Sequence, residues 1–334
     1  MIKKNNNNNN TSVKYNYIIA GGPGYYSVAY DEVKRLPNVR YFNNYISGLP
    51  SRLLKLLARI TFNIKYGRYL RWLLKPIVYP AIFHSEFSRD NETVFLFFES
   101  QYAVINTDYP EYLRKHYQHC KLVLFMQDVV ASLPYYDIDD YKRRFDLVLS
   151  YDKQDCERYG LVYHSTPYSH YENSRLIKEG SCDVFFCGTA KNRYETIMTA
   201  YKLCKDAGLK VLFYINGVED RLQEKNDDIV YNTPISYLEN LAHIASAKCI
   251  IEVMQKKADG FTPRLWEAIF YDKHLITNND SIKDTLYYDS RYIHEINNNL
   301  HPAEWIDNPV FFDQKVKETK SPIHLLEFIE NQLC

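Results

Sequence analysis

The sequence lacks an excess of either charge, a long apolar run and a Cys-x-x-Cys pair. Its 334 residues include 41 basic and 41 acidic side chains, so the net charge gives no argument for a nucleic-acid partner. No window of about 20 apolar residues is present, and no membrane span is expected. The seven cysteines form no Cys-x-x-Cys pair. We therefore expect reduced thiols in a cytoplasmic protein, without a zinc site or a disulfide framework.

The chain is too long for one ordinary hydrophobic core, and its length suits two domains of about 150 residues each. Residues 1–12 contain two lysines and a run of asparagine, which predicts a disordered leader and no signal peptide. The polar stretch 163–180 has no clear period and predicts the junction. We expect an N-terminal domain over 13–170, a C-terminal domain over 171–321 and a final helix over 322–334 that packs back on the junction.

Short apolar runs alternate with helical segments on both sides of this junction. Such runs are typical of buried parallel strands when helices lie between them. Strands are predicted at residues 15–20, 39–42, 93–98, 122–126, 145–150, 182–187, 211–215, 229–231, 249–254 and 274–277. Helices are predicted at residues 27–36, 51–74 with a break near Gly67, 109–119, 153–159, 193–207, 235–246, 263–270 and 322–333. The pattern predicts an α/β fold of two facing, doubly wound, Rossmann-like domains.

The segment after the strand predicted at 249–254 has the composition of an anion site. Gly260 allows the backbone to approach a ligand closely, and a helix that begins near Pro263 presents unpaired N–H groups and a positive dipole end. Arg264 can pair with a diphosphate through two hydrogen bonds. The carboxylate of Glu267, one turn on, can accept hydrogen bonds from ribose hydroxyls. Alternatively, the helix only joins two strands, and Arg264 and Glu267 form a local i,i+3 pair.

Residues 259–268 (DGFTPRLWEA) and 273–278 (KHLITN) resemble the donor-binding segment of bacterial GT-B glycosyltransferases. They are most similar to a group assigned to lipopolysaccharide or capsule synthesis, and residues 183–193 and 145–160 share the resemblance. Asp259 stands where the superfamily more usually has glutamate. The resemblance implies that the donor nucleotide sugar contacts Gly188, Lys191, Arg193, Gly260, Phe261, Thr262, Arg264 and Glu267.

The resemblance implies a GT-B architecture and a reaction in which a nucleotide-diphosphate sugar donates its sugar to a hydroxyl of a glycan or lipid-linked acceptor. Arginine side chains and backbone amides would then stabilise the leaving diphosphate, with no metal and no cofactor. Two alternatives remain. A non-catalytic nucleotide-sugar-binding or assembly subunit could keep the same site. A Rossmann-type oxidoreductase or epimerase would need a complete glycine fingerprint, which this sequence lacks.

Two motifs near the start of the chain resemble known signatures only in part. Gly22-x-Gly24-x-x-Ser27 lacks the third glycine of a dinucleotide fingerprint, and no acidic residue lies near Asn43 to bind a ribose. A glycine turn near the acceptor and a plain tight turn both remain open. Asp137-Ile138-Asp139 matches the acidic motif of metal-dependent glycosyltransferases. No apolar strand precedes it, so we predict a capped helix start instead.

Two carboxylates are candidates for a catalytic base, because each follows a predicted strand of the first domain. Glu99 follows the strand at 93–98, and Asp128 follows the strand at 122–126. Groups at the carboxyl ends of strands face the ligand-binding edge of a doubly wound sheet. Each could equally be a helix cap or a hydrogen bonder at the edge of the core. The alternative is a reaction that retains configuration and proceeds without such a base.

No acidic residue occurs between residues 33 and 85, although ten basic residues do. Leucine, isoleucine and tryptophan are interleaved with these bases in the two predicted helical segments. Basic amphipathic segments bind anionic membrane surfaces, which predicts peripheral association through residues 34–75. The alternative is an ordinary pair of amphipathic helices with a solvated basic face.

Overall fold

The computed structural model describes residues 13–89, 92–130, 133, 137–172, 182–224, 226–254 and 261–334. The chain divides into two compact units. One runs to Ser169 and includes Lys320–Cys334, and the other is His170–Thr319. The predicted leader, residues 1–12, lies outside the described residues.

The first unit is an α/β domain around one parallel sheet. Its strands are β1 (Asn16–Ala20), β2 (Val39–Phe42), β3 (Thr93–Phe98), β4 (Cys120–Met126), β5 (Leu147–Ser150) and β6 (Val162–Tyr163). Its helices are α1 (Tyr25–Ala29), α2 (Arg52–Thr61), α3 (Gly67–Val78), α4 (Tyr102–Ile105), α5 (Tyr109–His116), α6 (Ile138–Arg144) and α7 (Lys153–Tyr159). The sheet order is β2-β1-β3-β4-β5-β6. All residues of β3 are buried, as expected for a central strand with helices on both faces.

The second unit has a parallel sheet of its own. Its strands are β7 (Val184–Thr189), β8 (Val211–Asn216), β9 (Ile229–Tyr231), β10 (Cys249–Glu252), β11 (His274–Thr277) and β12 (Ile293–Glu295). Its helices are α8 (Tyr194–Asp206), α9 (Tyr237–Ser246), α10 (Pro263–Phe270) and α11 (Gln314–Glu318). The sheet order is β12-β11-β10-β7-β8-β9, which is the Rossmann order 3-2-1-4-5-6 within this unit. The predicted fold class, two doubly wound Rossmann-like domains with a C-terminal helix, is confirmed.

The chain returns to the first unit in α12 (Pro322–Leu333). The carboxylate of Glu330 accepts hydrogen bonds from the backbone N–H groups of Lys14, at 2.7 Å, and Tyr15, at 3.1 Å. The hydroxyl of Tyr17 donates to the carbonyl of Leu326 at 3.0 Å. The last helix therefore packs against the start of β1. No helix among the described residues has the length and apolar composition needed to cross a bilayer.

Side-chain caps account for several helix boundaries. Asp137 precedes α6, and its carboxylate accepts from the N–H of Asp140 at 3.0 Å. The prediction that this acidic segment starts a helix is therefore confirmed. Ser236 and Glu239 form a reciprocal capping box at the start of α9. Gly160 ends α7 in the left-handed conformation, with φ of 65°.

One predicted helix, residues 27–36, is wrong. The chain instead forms the short α1 and a separate 3-10 turn, Val33–Arg35. The hydroxyl of Ser169 accounts for the interruption, because it donates to the carbonyl of Ala29 at 2.8 Å and accepts from the N–H of Glu32 at 3.2 Å. This contact joins positions more than a hundred residues apart, so the local pattern could not reveal it.

Candidate functional site

The strand order of the second sheet reverses between β7 and β10, and polar residues gather where these strands end. Ile250 of β10 pairs with Phe185 of β7, so Cys187 and Glu252, each two residues further on, lie at the same sheet edge. Ligands of doubly wound domains bind outside the carboxyl ends of strands at such a reversal. Residues 255–260, which include the predicted site residue Gly260, lie outside the described residues.

Arg264, in the first turn of α10, reaches across this edge. Its Nη2 donates to the carbonyl of Cys187 at 2.8 Å, and its Nη1 donates to the Glu267 carboxylate. Burial disfavours the charge on the guanidinium, but Glu267 outweighs this effect and raises the pKa of Arg264. The side chain keeps 21% of its surface exposed. A positive charge is therefore fixed at the end of β7 and remains accessible to a ligand.

Glu267 is fully buried and already has internal partners for both carboxylate oxygens. Oε2 is paired with Arg264. Oε1 accepts from the hydroxyl of Tyr237 at 2.8 Å and from Nδ2 of Asn240 at 3.4 Å. The local i,i+3 pair, one of the two interpretations of this spacing, is thus present. The contact of Glu267 with a ribose stays a prediction.

Arg193 brings a second guanidinium to the same edge. Its Nε donates to the carbonyl of Thr189 at 3.1 Å, and its Nη1 donates to the carbonyl of Val253. Burial, and then the positive charge of Arg264, lowers the pKa of Arg193. A side chain at Gly188 would meet the ring of Phe186 at 2.9 Å and Nη2 of Arg193 at 3.4 Å. Glycine at this position therefore leaves room for the guanidinium.

Two further predicted donor residues flank these arginines. Lys191 has a φ of 45° and an exposed side chain in the turn after β7. Phe261 is partly exposed and packs edge-on against Trp266, with ring centroids 6.1 Å apart, and against Tyr287, with centroids 6.2 Å apart. The structure brings Gly188, Arg193 and Arg264 together and puts Lys191 beside them in sequence. Phe261 is fixed in an aromatic cluster next to the start of α10.

Glu252, which the sequence analysis did not identify, joins the start of α10 to the sheet. It is buried and ends β10. Its carboxylate accepts from the hydroxyls of Thr262 and, at 2.6 Å, Thr277. Burial raises the pKa of Glu252, against the lowering effect of these hydrogen bonds. Thr262 also accepts from the N–H of Arg264 at 3.2 Å and so caps the helix. The signal that the sequence offered was a carboxylate inside the otherwise apolar strand predicted at 249–254.

In the first sheet, the order reverses between β1 and β3, where Glu99 follows β3. Glu99 is buried, and its carboxylate accepts from the hydroxyl of Tyr26 at 3.1 Å and from the N–H of Gln127 at 2.9 Å. Burial raises the pKa of Glu99, while these hydrogen bonds lower it and the negative charge of Asp128 adds to the rise. Glu99 therefore connects β3, β4 and α1 at this edge.

Asp128 follows β4 at the same edge, but its environment differs. Its side chain is exposed, and Oδ1 accepts from the N–H of the next residue, Val129, at 3.0 Å. Burial, and then the charge of Asp128, raises the pKa of Tyr151 to about 12. The negative charge of Asp128 also contributes to the raised pKa of Glu99. The two predicted catalytic carboxylates therefore lie close enough to interact, and Glu99 is buried while Asp128 is open to solvent.

The glycine turn after β1 packs closely against tyrosine rings. A side chain at Gly21 would meet the hydroxyl of Tyr41 at 2.4 Å, and one at Gly22 would meet the ring of Tyr26 at 2.5 Å. The hydroxyl of Tyr41 donates to the Gly22 carbonyl at 2.7 Å and accepts from its N–H at 3.0 Å. Gly24 has a φ of 62°. Gly21 and Gly22 therefore allow the close approach of tyrosine rings, and Gly24 supplies the positive φ before α1.

No family model and no curated protein matches this chain. Among solved structures, an α-glucosyltransferase in complex with UDP-glucose and abasic DNA is 15% identical, with a TM-score of 0.38 over 73% of this chain and 74% of that one. The catalytic domain of starch synthase IV from Arabidopsis thaliana, bound to ADP and acarbose, is 7% identical, with a TM-score of 0.44 over 84% and 76%. The UDP-forming trehalose-phosphate synthase from Burkholderia vietnamiensis is 10% identical, with a TM-score of 0.41 over 90% and 82%. The fold of each unit is shown by its own strand order.

Proposed function

We propose that this protein is a glycosyltransferase that moves a sugar from a nucleotide-diphosphate sugar to a hydroxyl of a glycan or lipid-linked acceptor. The observation that carries the proposal is the pair of guanidinium groups, Arg193 and Arg264, at the reversal of the second sheet. The positive charge of Arg264 lowers the pKa of Arg193, and a diphosphate bound by both groups would relieve this repulsion. The resemblance of residues 259–268 to GT-B donor segments supports the same assignment.

The proposed chemistry is electrostatic. As the bond between the sugar and the diphosphate breaks, negative charge grows on the leaving diphosphate, and fixed guanidinium groups stabilise it. Arg264 is held for this role by Glu267 and by the carbonyl of Cys187. Lys191 and the backbone near Gly260 would add donors. We propose that these groups replace a metal ion and that the reaction needs no other cofactor.

Asp128 is the better candidate for a base that takes the proton of the acceptor hydroxyl. Its side chain is exposed at the reversal edge of the first sheet, and it holds one N–H of its own loop. Glu99 is buried, and its oxygens already fix Tyr26 and the backbone of Gln127. We assign Glu99 to positioning, and Asp128 to proton transfer if the reaction inverts configuration.

The biological setting is also a proposal. The donor segment resembles that of a group assigned to lipopolysaccharide or capsule synthesis, and on this resemblance we propose a role in making a surface polysaccharide. That role would put the protein in the cytoplasm or on the inner face of the membrane.

A thermal-shift panel tests the donor assignment. We expect one or more of UDP, GDP, CDP, ADP and dTDP to raise the melting temperature by mass action on the folded state, equally with and without EDTA. No shift with any of these nucleotides would contradict a nucleotide-diphosphate site. A shift abolished by EDTA would contradict metal independence.

A sugar-release assay separates the enzyme from a non-catalytic binding subunit of the same fold. With the nucleotide sugar of the preferred base, we expect slow release of the nucleoside diphosphate that accelerates with a hydroxyl-bearing acceptor. Tight binding without any release would favour the binding subunit.

A further inference from the structure

The helical hairpin α2–α3 leaves a large apolar surface uncovered. Trp72 is 71% exposed and Leu53 is 65% exposed. The exposed large apolar side chains of the hairpin and its turn are Leu53, Leu56, Ile64, Tyr66, Tyr69, Leu70, Trp72, Leu73 and Ile77. Contiguous apolar patches of this kind on a folded domain mark sites of interaction with a protein or a membrane.

The hairpin has a second apolar side, which is already used in the core of the first unit. Phe62 stacks on Tyr79, with ring centroids 5.7 Å apart, and Ala58 and Val78 are fully buried. At the turn, a side chain on Gly67 would meet the carbonyl of Thr61 at 2.4 Å, so glycine lets the two helices approach closely. The outward apolar side chains are therefore additional to those that the fold needs.

The hairpin, residues 52–78, carries many basic residues and no acidic residue. The hairpin contains seven bases: Arg52, Lys55, Arg59, Lys65, Arg68, Arg71 and Lys75. Among the described residues, Lys75 alone of these pairs with a carboxylate, that of Asp108 at 2.7 Å. Lys65 and Arg68 lie over the rings of Tyr66 and Tyr69. This surface offers both exposed apolar rings and uncompensated positive charge.

We infer that the outer surface of the α2–α3 hairpin docks on an anionic lipid membrane. Apolar burial into the acyl boundary and attraction of bases to acidic headgroups act together in such docking. Tyrosine and tryptophan favour the interface between headgroup and hydrocarbon, where one end of the ring is apolar and the other is wet. Six of the seven bases have no carboxylate partner among the described residues, so a second copy of this chain would bring six unpaired positive charges towards six more, which opposes self-association through this surface. The inference does not depend on the proposed glycosyl transfer.

Vesicle flotation of the full-length protein tests the docking. We expect it to float with phosphatidylcholine vesicles that contain phosphatidylglycerol, and to stay at the bottom with phosphatidylcholine alone or at high salt. The variant Arg59→Glu/Arg68→Glu should bind at least roughly 20-fold more weakly, from about fivefold for each basic residue lost. Trp72→Ser/Leu73→Ser should bind at least roughly tenfold more weakly.

Matched controls come from the second unit. Phe311→Ser removes an exposed ring, and Lys202→Glu reverses an exposed charge, both outside the hairpin; both should float like the wild type. Circular dichroism melts verify that each variant is folded. Tryptophan emission should shift to the blue on anionic vesicles, and Trp72→Phe should lose this shift while it still floats.

Absence of flotation with anionic vesicles would overturn the inference. So would equal flotation of the folded hairpin variants and the wild type. Concentration-dependent dimerisation that Trp72→Ser/Leu73→Ser abolishes, without vesicle binding, would assign the surface to a second copy instead.

Discussion

The two sheets have the same kind of reversal in strand order, yet they carry opposite chemistry there. Arg193 and Arg264 lie at the reversal of the second sheet, while Glu99 and Asp128 lie at that of the first. Both edges also hold a buried carboxylate, Glu252 in one and Glu99 in the other, that fixes neighbouring hydroxyls. The fold supplies the location in both units, and the side chains decide what each location can bind.

The largest effect should come from the first sheet. Asp128→Asn keeps the shape of the side chain but removes its capacity to take a proton, so we expect turnover to fall by about 10²–10⁴-fold if Asp128 is the base. Nucleotide binding should be unchanged, since the substitution lies in the other unit. Steady-state kinetics and nucleotide titration measure the two effects. Unchanged turnover would remove Asp128 from the catalytic role.

The next largest effect should be a loss of stability when the ion pair at the edge of the second sheet is broken. Arg264→Ala leaves the buried carboxylate of Glu267 without its ion-pair partner, so the free energy of unfolding should fall by about 3 kcal/mol. Adding Glu267→Gln in the same chain should recover part of this loss, because the unpaired charge is gone. Urea unfolding of the two single variants and the double variant measures the coupling. Additive losses would contradict a buried ion pair.

A smaller effect on stability is expected when the equivalent hydroxyl at each sheet edge is removed. Thr262→Val and Tyr26→Phe each remove a hydroxyl that donates to a buried carboxylate, which costs about 1–2 kcal/mol in the free energy of unfolding. The loss should be greater for Thr262→Val, since this hydroxyl also caps α10. Equal losses in chemical denaturation would mean that the cap contributes nothing.

The smallest effect concerns how the free energy of unfolding depends on pH. Burial raises the pKa of Glu99 and Glu252 above the ordinary value of 4.5, so the folded state binds these protons more tightly than the unfolded state. Each carboxylate therefore lowers stability as the pH rises from below 4.5 through its folded pKa. The stability of Glu99→Gln and of Glu252→Gln, each measured relative to the wild type, should therefore increase as the pH rises through this window. Profiles parallel to the wild type in denaturant titrations would contradict these pKa shifts.

Much of the fold could be predicted because its elements are locally encoded. Continuous apolar runs gave β3 and β11 with their observed bounds, and Pro263 marked the start of α10. β6 and β12 were missed, since both are short edge strands that pair on one side. The helix predicted at 27–36 failed because Ser169, far away in sequence, bonds to the backbone within it.

The site was predictable in its residue types but not in its connections. The spacing of Arg264 and Glu267 allowed either a ligand contact or an internal pair, and only the fold shows Tyr237 and Asn240 on the same carboxylate. The proximity of Arg193 to Arg264 depends on the pairing of β7 with β10. In the sequence, Glu252 lies inside the longer strand that was predicted at 249–254. That strand ends there, and the N–H of Met254 instead donates to the side chain of Asn278 at 2.7 Å.

The central claim, that the arginine pair binds a nucleoside diphosphate, is tested most directly by calorimetric titration of Arg193→Ala. Among the described residues its hydrogen bonds go to carbonyls. The charge of Arg193 also acts on the buried carboxylate of Glu252, but that carboxylate keeps its two threonine hydroxyls when Arg193 is lost. We predict that affinity for the preferred nucleoside diphosphate falls by about 30-fold, or about 2 kcal/mol. Arg291→Ala, which removes an exposed arginine paired with Asp289 in the same unit, should bind like the wild type. Equal affinity of Arg193→Ala and the wild type would contradict the claim.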